Sequence, residues 1–163
     1  MARRRRRAEP VERELRWQSA GDTQAFGRWL GGRLRRGDVI VLTGELGAGK
    51  TTLTQGIGAG LGVRGPVTSP TFVIARHHPS LVGGPALVHV DAYRLGSSVE
   101  LDDLDLDADL EDSVTVVEWG AGLAEQLSDE RLEIRLAGDE VRTARLRGVG
   151  RRWDEVVDTA GIA

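Results

Sequence analysis

Gly44-Glu45-Leu46-Gly47-Ala48-Gly49-Lys50-Thr51 fills every fixed position of the pattern G-x-x-x-x-G-K-[ST]. Each residue type suits the holding of a polyphosphate. Phosphate oxygens need several backbone N–H groups converging on one point, and glycines permit the positive φ angles and close approach that such a nest demands. A helix beginning at the loop adds its unpaired N-terminal N–H groups and the positive end of its dipole. Lys50 supplies a mobile point charge for β- and γ-phosphates. The Thr51 hydroxyl can take one position on Mg²⁺, an ion that keeps several waters besides. Thr52, next in the chain, completes the expected nucleotide-binding set. A glycine-rich turn without a ligand would show the same letters. The context favours the phosphate loop: a buried-type strand stands before it and an amphipathic helix after it.

A phosphate loop of this kind needs a carboxylate across from it, to hold the Mg²⁺ shell or orient water. Two acids end apolar runs: Asp91 after Ala86-Leu87-Val88-His89-Val90, and Glu118 after Val114-Thr115-Val116-Val117. Ligands of open α/β sheets sit at the carboxyl ends of the strands, so both acids are candidates if their strands run parallel to the first. Lys50, Asp91 and Glu118 are the expected catalytic residues, and Thr51, Asp91 and Glu118 the expected metal ligands. Each acid taken alone could equally be a solvated strand end. An N-K-x-D base-reading motif is absent. Arg76, Arg94 and the pair Arg151-Arg152 are isolated candidates for a kinase-like lid, and none stands out as an arginine finger.

The elements that must position these groups follow from periodicity. Leu15-Arg16-Trp17 begins an alternating strand. Asp22 and Thr23 can cap a helix carrying Phe26, Leu30 and Leu34 on one face, which Gly37 stops. Val39-Ile40-Val41-Leu42 reads as a strand buried on both faces of a parallel sheet. Leu53, Ile57 and Leu61 lie along one face of the helix after the loop, with Gly62 as its C-cap. Thr71-Phe72-Val73-Ile74 reads as a strand and Pro79 to Pro85 as an exposed turn. Ser97-Ser98-Val99-Glu100 matches a capping box, and Leu123, Ala124 and Leu127 a short helix. Leu132 to Leu136 and Val141 to Leu146 alternate apolar with charged residues, as in a two-stranded edge with one wet face. Trp153 to Val157 reads as a closing helix.

Composition bounds the class. The 163 residues suit one domain, with 40% hydrophobic and 29% charged residues. There is no cysteine. Disulfide-linked partners, thiolate nucleophiles and cysteine-based zinc sites are thereby excluded, which suits a reducing compartment. No apolar run is long enough to span a bilayer. His77, His78 and His89 have no metal-ligand spacing and read as solvent or turn residues. The acidic stretch from Glu100 to Asp112 lacks the glycine a calcium loop needs at its sixth position and reads as a solvated face. The net charge of -3 gives no global nucleic-acid footprint. The block Arg3 to Arg7 repels itself and reads as part of a disordered basic tail over residues 1–12, with an RNA-binding arm as the alternative. Residues 13–163 form the single expected domain.

Taken in order, the phosphate loop, Ser69-Pro70-Thr71-Phe72, His89-Val90-Asp91-Ala92-Tyr93-Arg94-Leu95 and Val117-Glu118-Trp119 resemble the TsaE (YjeE) family, the ATPase of bacterial tRNA threonylcarbamoyladenosine synthesis. The likeness runs from about Leu15 to the end of the chain. The phosphate loop alone is generic, and the later motifs in this order are specific. The resemblance implies a P-loop NTPase-like α/β/α fold in three layers with a mixed, mainly parallel sheet. It implies ATP or ADP with Mg²⁺, a cytoplasmic setting, and action with the TsaD and TsaB proteins, tRNA being reached through that complex. It puts Thr51, Asp91 and Glu118 near the metal and γ-phosphate, makes Ser69-Pro70-Thr71 a switch-like loop with Thr71 at the nucleotide, and sets Trp119 beside the nucleotide. Without it, Ser69-Pro70-Thr71 is a strand-entry turn and Trp119 a core aromatic. The expected activity is ATP hydrolysis, slow alone and stimulated by partners. The rivals are a stand-alone kinase of a small molecule and a nucleotide-binding module that hardly turns over.

Overall fold

Val39-Ile40-Val41-Leu42 is apolar at every position because its strand has a buried layer on each side, all four residues being at most 3% exposed. The computed structural model describes residues 10–45, 49–65, 67, 75–91, 111–118, 128–138 and 140–161. Among them are seven strands: β1 (Val11–Trp17), β2 (Val39–Gly44), β3 (Ala75–His78), β4 (Ala86–Asp91), β5 (Ser113–Glu118), β6 (Arg131–Ala137) and β7 (Arg142–Val149). They form one sheet in the order β1-β7-β6-β2-β5-β4-β3. The central β6, β2, β5 and β4 run parallel, and β7, β1 and β3 are added antiparallel at the two sides.

Helices α1 (Ala20–Gly31), α2 (Lys50–Leu61) and α3 (Asp154–Thr159), the last entered through a 3₁₀ turn at Arg151–Trp153, contribute to one apolar core. Phe26, Leu30, Leu53, Ile57, Val156 and Val157 meet Ile40, Leu42, Leu132, Ile134 and Leu146 there. Val39 and Val41 point to the other face, where they form a separate buried pair. The helices expected after Ser97 and near Leu123, and the strand expected over 71–74, lie outside the described residues.

Helix α2 is held by a close crossing with α1. Added Cβ atoms at Gly27 and Gly31 would lie 2.7 Å from the Leu53 carbonyl oxygen and 2.5 Å from that of Ile57. At Gly56 and Gly60 they would lie 2.5 Å and 2.4 Å from the carbonyl oxygens of Gln24 and Arg28. Two glycines four apart on each helix thus let the backbones touch, and this contact sets where the N-terminus of α2 sits against the sheet.

Several boundaries differ from the periodicity. Val11 and Glu12, read above as tail, pair with Gly148 and Arg147 in β1. The N-cap of α1 is Ser19, whose hydroxyl accepts from the Asp22 N–H at 3.2 Å, while the Asp22 carboxylate accepts from the Gln18 N–H at 2.9 Å. Asp22 is therefore an acid in the first turn rather than the cap, and its carboxylate reaches back to the residue before the cap, a variant of the capping box. The helix ends at Gly31, and Leu34 is buried from the turn that follows. The β6–β7 hairpin is not an edge: β6 pairs with β2 and β1 covers β7. Its wet face carries ion pairs, with Glu133 bound by Arg131 at 2.9 Å and Arg147 at 3.2 Å.

Candidate functional site

At the carboxyl ends of the parallel strands, β2 runs out into the loop and the chain re-enters α2 at Gly49. Gly44 adopts φ +148°, and a Cβ there would lie 2.5 Å from the Leu136 carbonyl oxygen. Gly49 adopts φ +103° and opens α2 with no side-chain cap. The first-turn N–H groups of α2 therefore have no side-chain acceptor, the arrangement an anion completes. Lys50 is buried, and its ammonium donates to the carbonyls of Gly44 at 2.7 Å and Glu45 at 3.1 Å. These bonds fold the lysine back along the loop it follows. Thr51 and Thr52 are half-buried in the same first turn. Leu46, Gly47 and Ala48 lie outside the described residues.

Asp91 and Glu118 end parallel neighbours and stand opposite each other in the β4–β5 register. Glu118 is also opposite Leu42 of β2, two residues before Gly44. Side chains alternate along a strand. Asp91 therefore shares the face of Leu87 and His89, and Glu118 that of Val114 and Val116, the face on which α2 packs. The structure thus brings Lys50, Asp91 and Glu118 together from three elements. Burial lowers the Lys50 pKa from its ordinary 10.5, and the carboxylates of Glu118 and then Asp91 oppose that shift. Both charges are thereby felt at the ammonium.

His89 belongs to this site, contrary to its reading as a solvent or turn residue. It is fully buried, and its Nε2 lies 3.1 Å from Glu118 Oε1. The signal was its place two residues before Asp91, hence on the same strand face. His78 is also buried, whereas its neighbour His77 is exposed. Arg142 is a second residue that spacing alone did not raise. It precedes Ala144 and Leu146 on the inward face of β7, where an arginine interrupts an apolar alternation. Its guanidinium packs against Gly49.

The arginines considered for a lid fall elsewhere or outside view. Arg76 is exposed on β3, at the edge of the sheet. Arg152 donates to Asp38 at 2.8 and 3.1 Å and to the Arg33 carbonyl at 2.8 Å, at the start of β2 and thus at the opposite end of the sheet. Arg94, Ser69, Pro70, Thr71 and Trp119 lie outside the described residues.

The donor set suits a hard cation. The Thr51 hydroxyl and the Asp91 and Glu118 carboxylates are oxygen donors, and Mg²⁺ typically takes one or two carboxylates with phosphate and water rather than a full protein cage. No cluster of three or more His, Cys, Asp or Glu side chains able to hold a metal occurs among the described residues. No helix among them is long and apolar enough to cross a membrane.

A family model described as threonylcarbamoyl adenosine biosynthesis protein TsaE matches residues 17–146. A Streptomyces coelicolor protein named tRNA threonylcarbamoyladenosine biosynthesis protein TsaE is 60% identical, the match covering 78% of this chain and 91% of that one. A Bacillus subtilis protein of the same name is 38% identical over 87% of this chain and 90% of its own. The crystal structure of Bacillus subtilis YdiB superposes with a TM-score of 0.74 at 32% identity, over 93% of this chain and 95% of that one. The family match spans the phosphate loop, both strand-end acids, β6 and the start of β7, and the chain belongs to the TsaE family.

Proposed function

We propose that the protein is a Mg²⁺-dependent ATPase of the machinery that makes N6-threonylcarbamoyladenosine in tRNA, acting with TsaD and TsaB. The observation that carries the ATPase reading is the convergence of Lys50, Asp91 and Glu118 around the uncapped start of α2. The role in tRNA modification rests on the names its relatives bear. That role supports a cytoplasmic location.

In this reading the N–H groups of the first turn of α2 and the Lys50 ammonium hold the β- and γ-phosphates. Thr51, Asp91 and Glu118 would hold Mg²⁺, which when bound neutralises charge on the phosphate oxygens. Glu118 orients the attacking water as a hydrogen-bond acceptor. His89 fixes the carboxylate from behind through the 3.1 Å contact with Oε1, which leaves Oε2 for the site.

A charge supplied in trans raises phosphoryl-transfer rates by ~10³ to 10⁵. The isolated chain should therefore release phosphate slowly, and TsaD with TsaB should accelerate it. The test is phosphate release from the chain alone, with the two proteins, and with a panel of small-molecule acceptors. Stimulation by the proteins and by no acceptor is expected. A phosphorylated small molecule made by the chain alone would overturn the proposal.

A further inference from the structure

Arg142 sits where no role has been assigned to it. It opens β7, and because β7 is antiparallel to β6, that opening lies at the carboxyl end of the parallel strands. Alternation with Ala144 and Leu146 turns it to the face that α2 covers. A Cβ built on Gly49 would lie 2.7 Å from Arg142 Nη1, 3.0 Å from Cζ and 3.2 Å from Nε. The flat guanidinium therefore lies against the residue that begins the phosphate-binding turn. Its Nε and Nη1 are buried, and neither has a hydrogen-bond partner among the described residues.

Buried donors without acceptors are rare, and a guanidinium stays charged at any ordinary pH. Such a group held beside an anion-binding turn is explained by an acceptor that arrives with the ligand. A guanidinium suits phosphate oxygens because it offers several charged N–H donors fixed in one plane. The sheet order assigns it a side. Arg142 flanks β2 through β6, whereas Asp91 and Glu118 flank it through β5. The carboxylates mark the metal and γ-phosphate end, so Arg142 faces the phosphates nearer the nucleoside.

We propose that Arg142 is a phosphate-binding residue of the nucleotide site, donating from Nε and Nη1 to oxygens shared by ADP and ATP. The proposal rests on the nucleotide-binding reading above. It differs from an arginine finger, which acts on the γ-phosphate in the transition state. Arg142 would act in the ground state, on either nucleotide alike.

The test compares wild type, Arg142→Met and Arg142→Lys in two measurements: the Kd of MgADP and MgATP by calorimetry, and the melting temperature of the nucleotide-free protein. Arg142→Met should raise both Kd values about tenfold or more, the order of a charged hydrogen bond. Its nucleotide-free melting temperature should be unchanged or higher, since an unpartnered buried charge is removed. Arg142→Lys keeps the charge without the planar set of donors and should fall between. Wild-type affinity in Arg142→Met would overturn the proposal. So would weaker binding accompanied by a lower nucleotide-free melting temperature, which would make the arginine a brace for the loop. Failure of the wild-type protein to bind either nucleotide would instead sink the nucleotide reading itself.

Discussion

His89 Nε2 reaches Glu118 Oε1 at 3.1 Å across adjacent parallel strands, in a site where His89 is fully buried and Glu118 only 5% exposed. The pair joins one residue read as chemically silent to another read as catalytic. The imidazole limits the carboxylate to the orientation that faces α2. His89→Phe keeps the bulk and removes the bond. It should lower kcat while MgATP still binds, because Glu118 loses its fixed geometry. An unchanged kcat in a folded His89→Phe protein would show that the contact does not serve turnover.

Glu118→Gln should bind MgATP yet hydrolyse it ~10² to 10⁴ times more slowly, the range for losing a positioned base. Asp91 stands in register beside it and is less buried. Asp91→Asn should act mainly on the Mg²⁺ dependence. If Asp91→Asn alone suppresses hydrolysis at saturating Mg²⁺ and Glu118→Gln does not, the two acids exchange roles.

Lys50→Ala should weaken nucleotide binding or abolish turnover while circular dichroism shows the fold retained. The ammonium holds the Gly44 and Glu45 carbonyls at 2.7 and 3.1 Å. Some stability should be lost with it, but those carbonyls are at the surface end of β2. Unchanged affinity and turnover in the folded variant would remove the phosphate-loop assignment.

Gly56→Val tests the helix crossing that carries α2. Even a Cβ at this position would lie 2.5 Å from the Gln24 carbonyl oxygen and 3.0 Å from Gly27 Cα. Neither neighbour can give way without moving a helix, so the loss should be ~1 to 3 kcal/mol or more by denaturant unfolding. Nucleotide affinity should fall too, because α2 shifts as a unit. A stability equal to wild type would show that the helices slide apart freely.

Acid should destabilise the fold through His78. Burial lowers its pKa below the ordinary 6.5, opposed by the Arg64 backbone and assisted by the charges of His89, Arg76 and His77. The folded imidazole is thus neutral where the unfolded one takes a proton, so stability present above pH ~6.5 is lost as the pH falls towards the folded-state pKa. Unfolding curves of wild type and His78→Gln between pH 7.5 and 5 (roughly the span about the ordinary histidine pKa) should show a shallower acid loss in the variant. Parallel curves would remove His78 as the cause.

The candidate site was legible in the chain where its pattern is local. The phosphate loop needs its glycines, lysine and threonine at fixed spacing, and a strand must lead in and a helix lead out. Asp91 and Glu118 could be singled out because each ends an apolar run, and the helix stop at Gly62, in αL with φ +74°, follows from the same local rules. What the tertiary structure decided is pairing across long separations. Strand order puts β5 beside β2 and β4 beside β5, which sets Asp91 opposite Glu118 and brings His89 onto its carboxylate. The alternation in β6 and β7 is the same at an edge or inside a sheet, so only the pairing of β6 with β2 and of β1 with β7 could show which applied. The glycines of α1 and α2 are weak helix formers when read alone and become necessary only where two backbones touch. Arg142 carries no motif at all. Its place beside Gly49 arises from a hairpin folding back some ninety residues later, a contact that no local periodicity encodes.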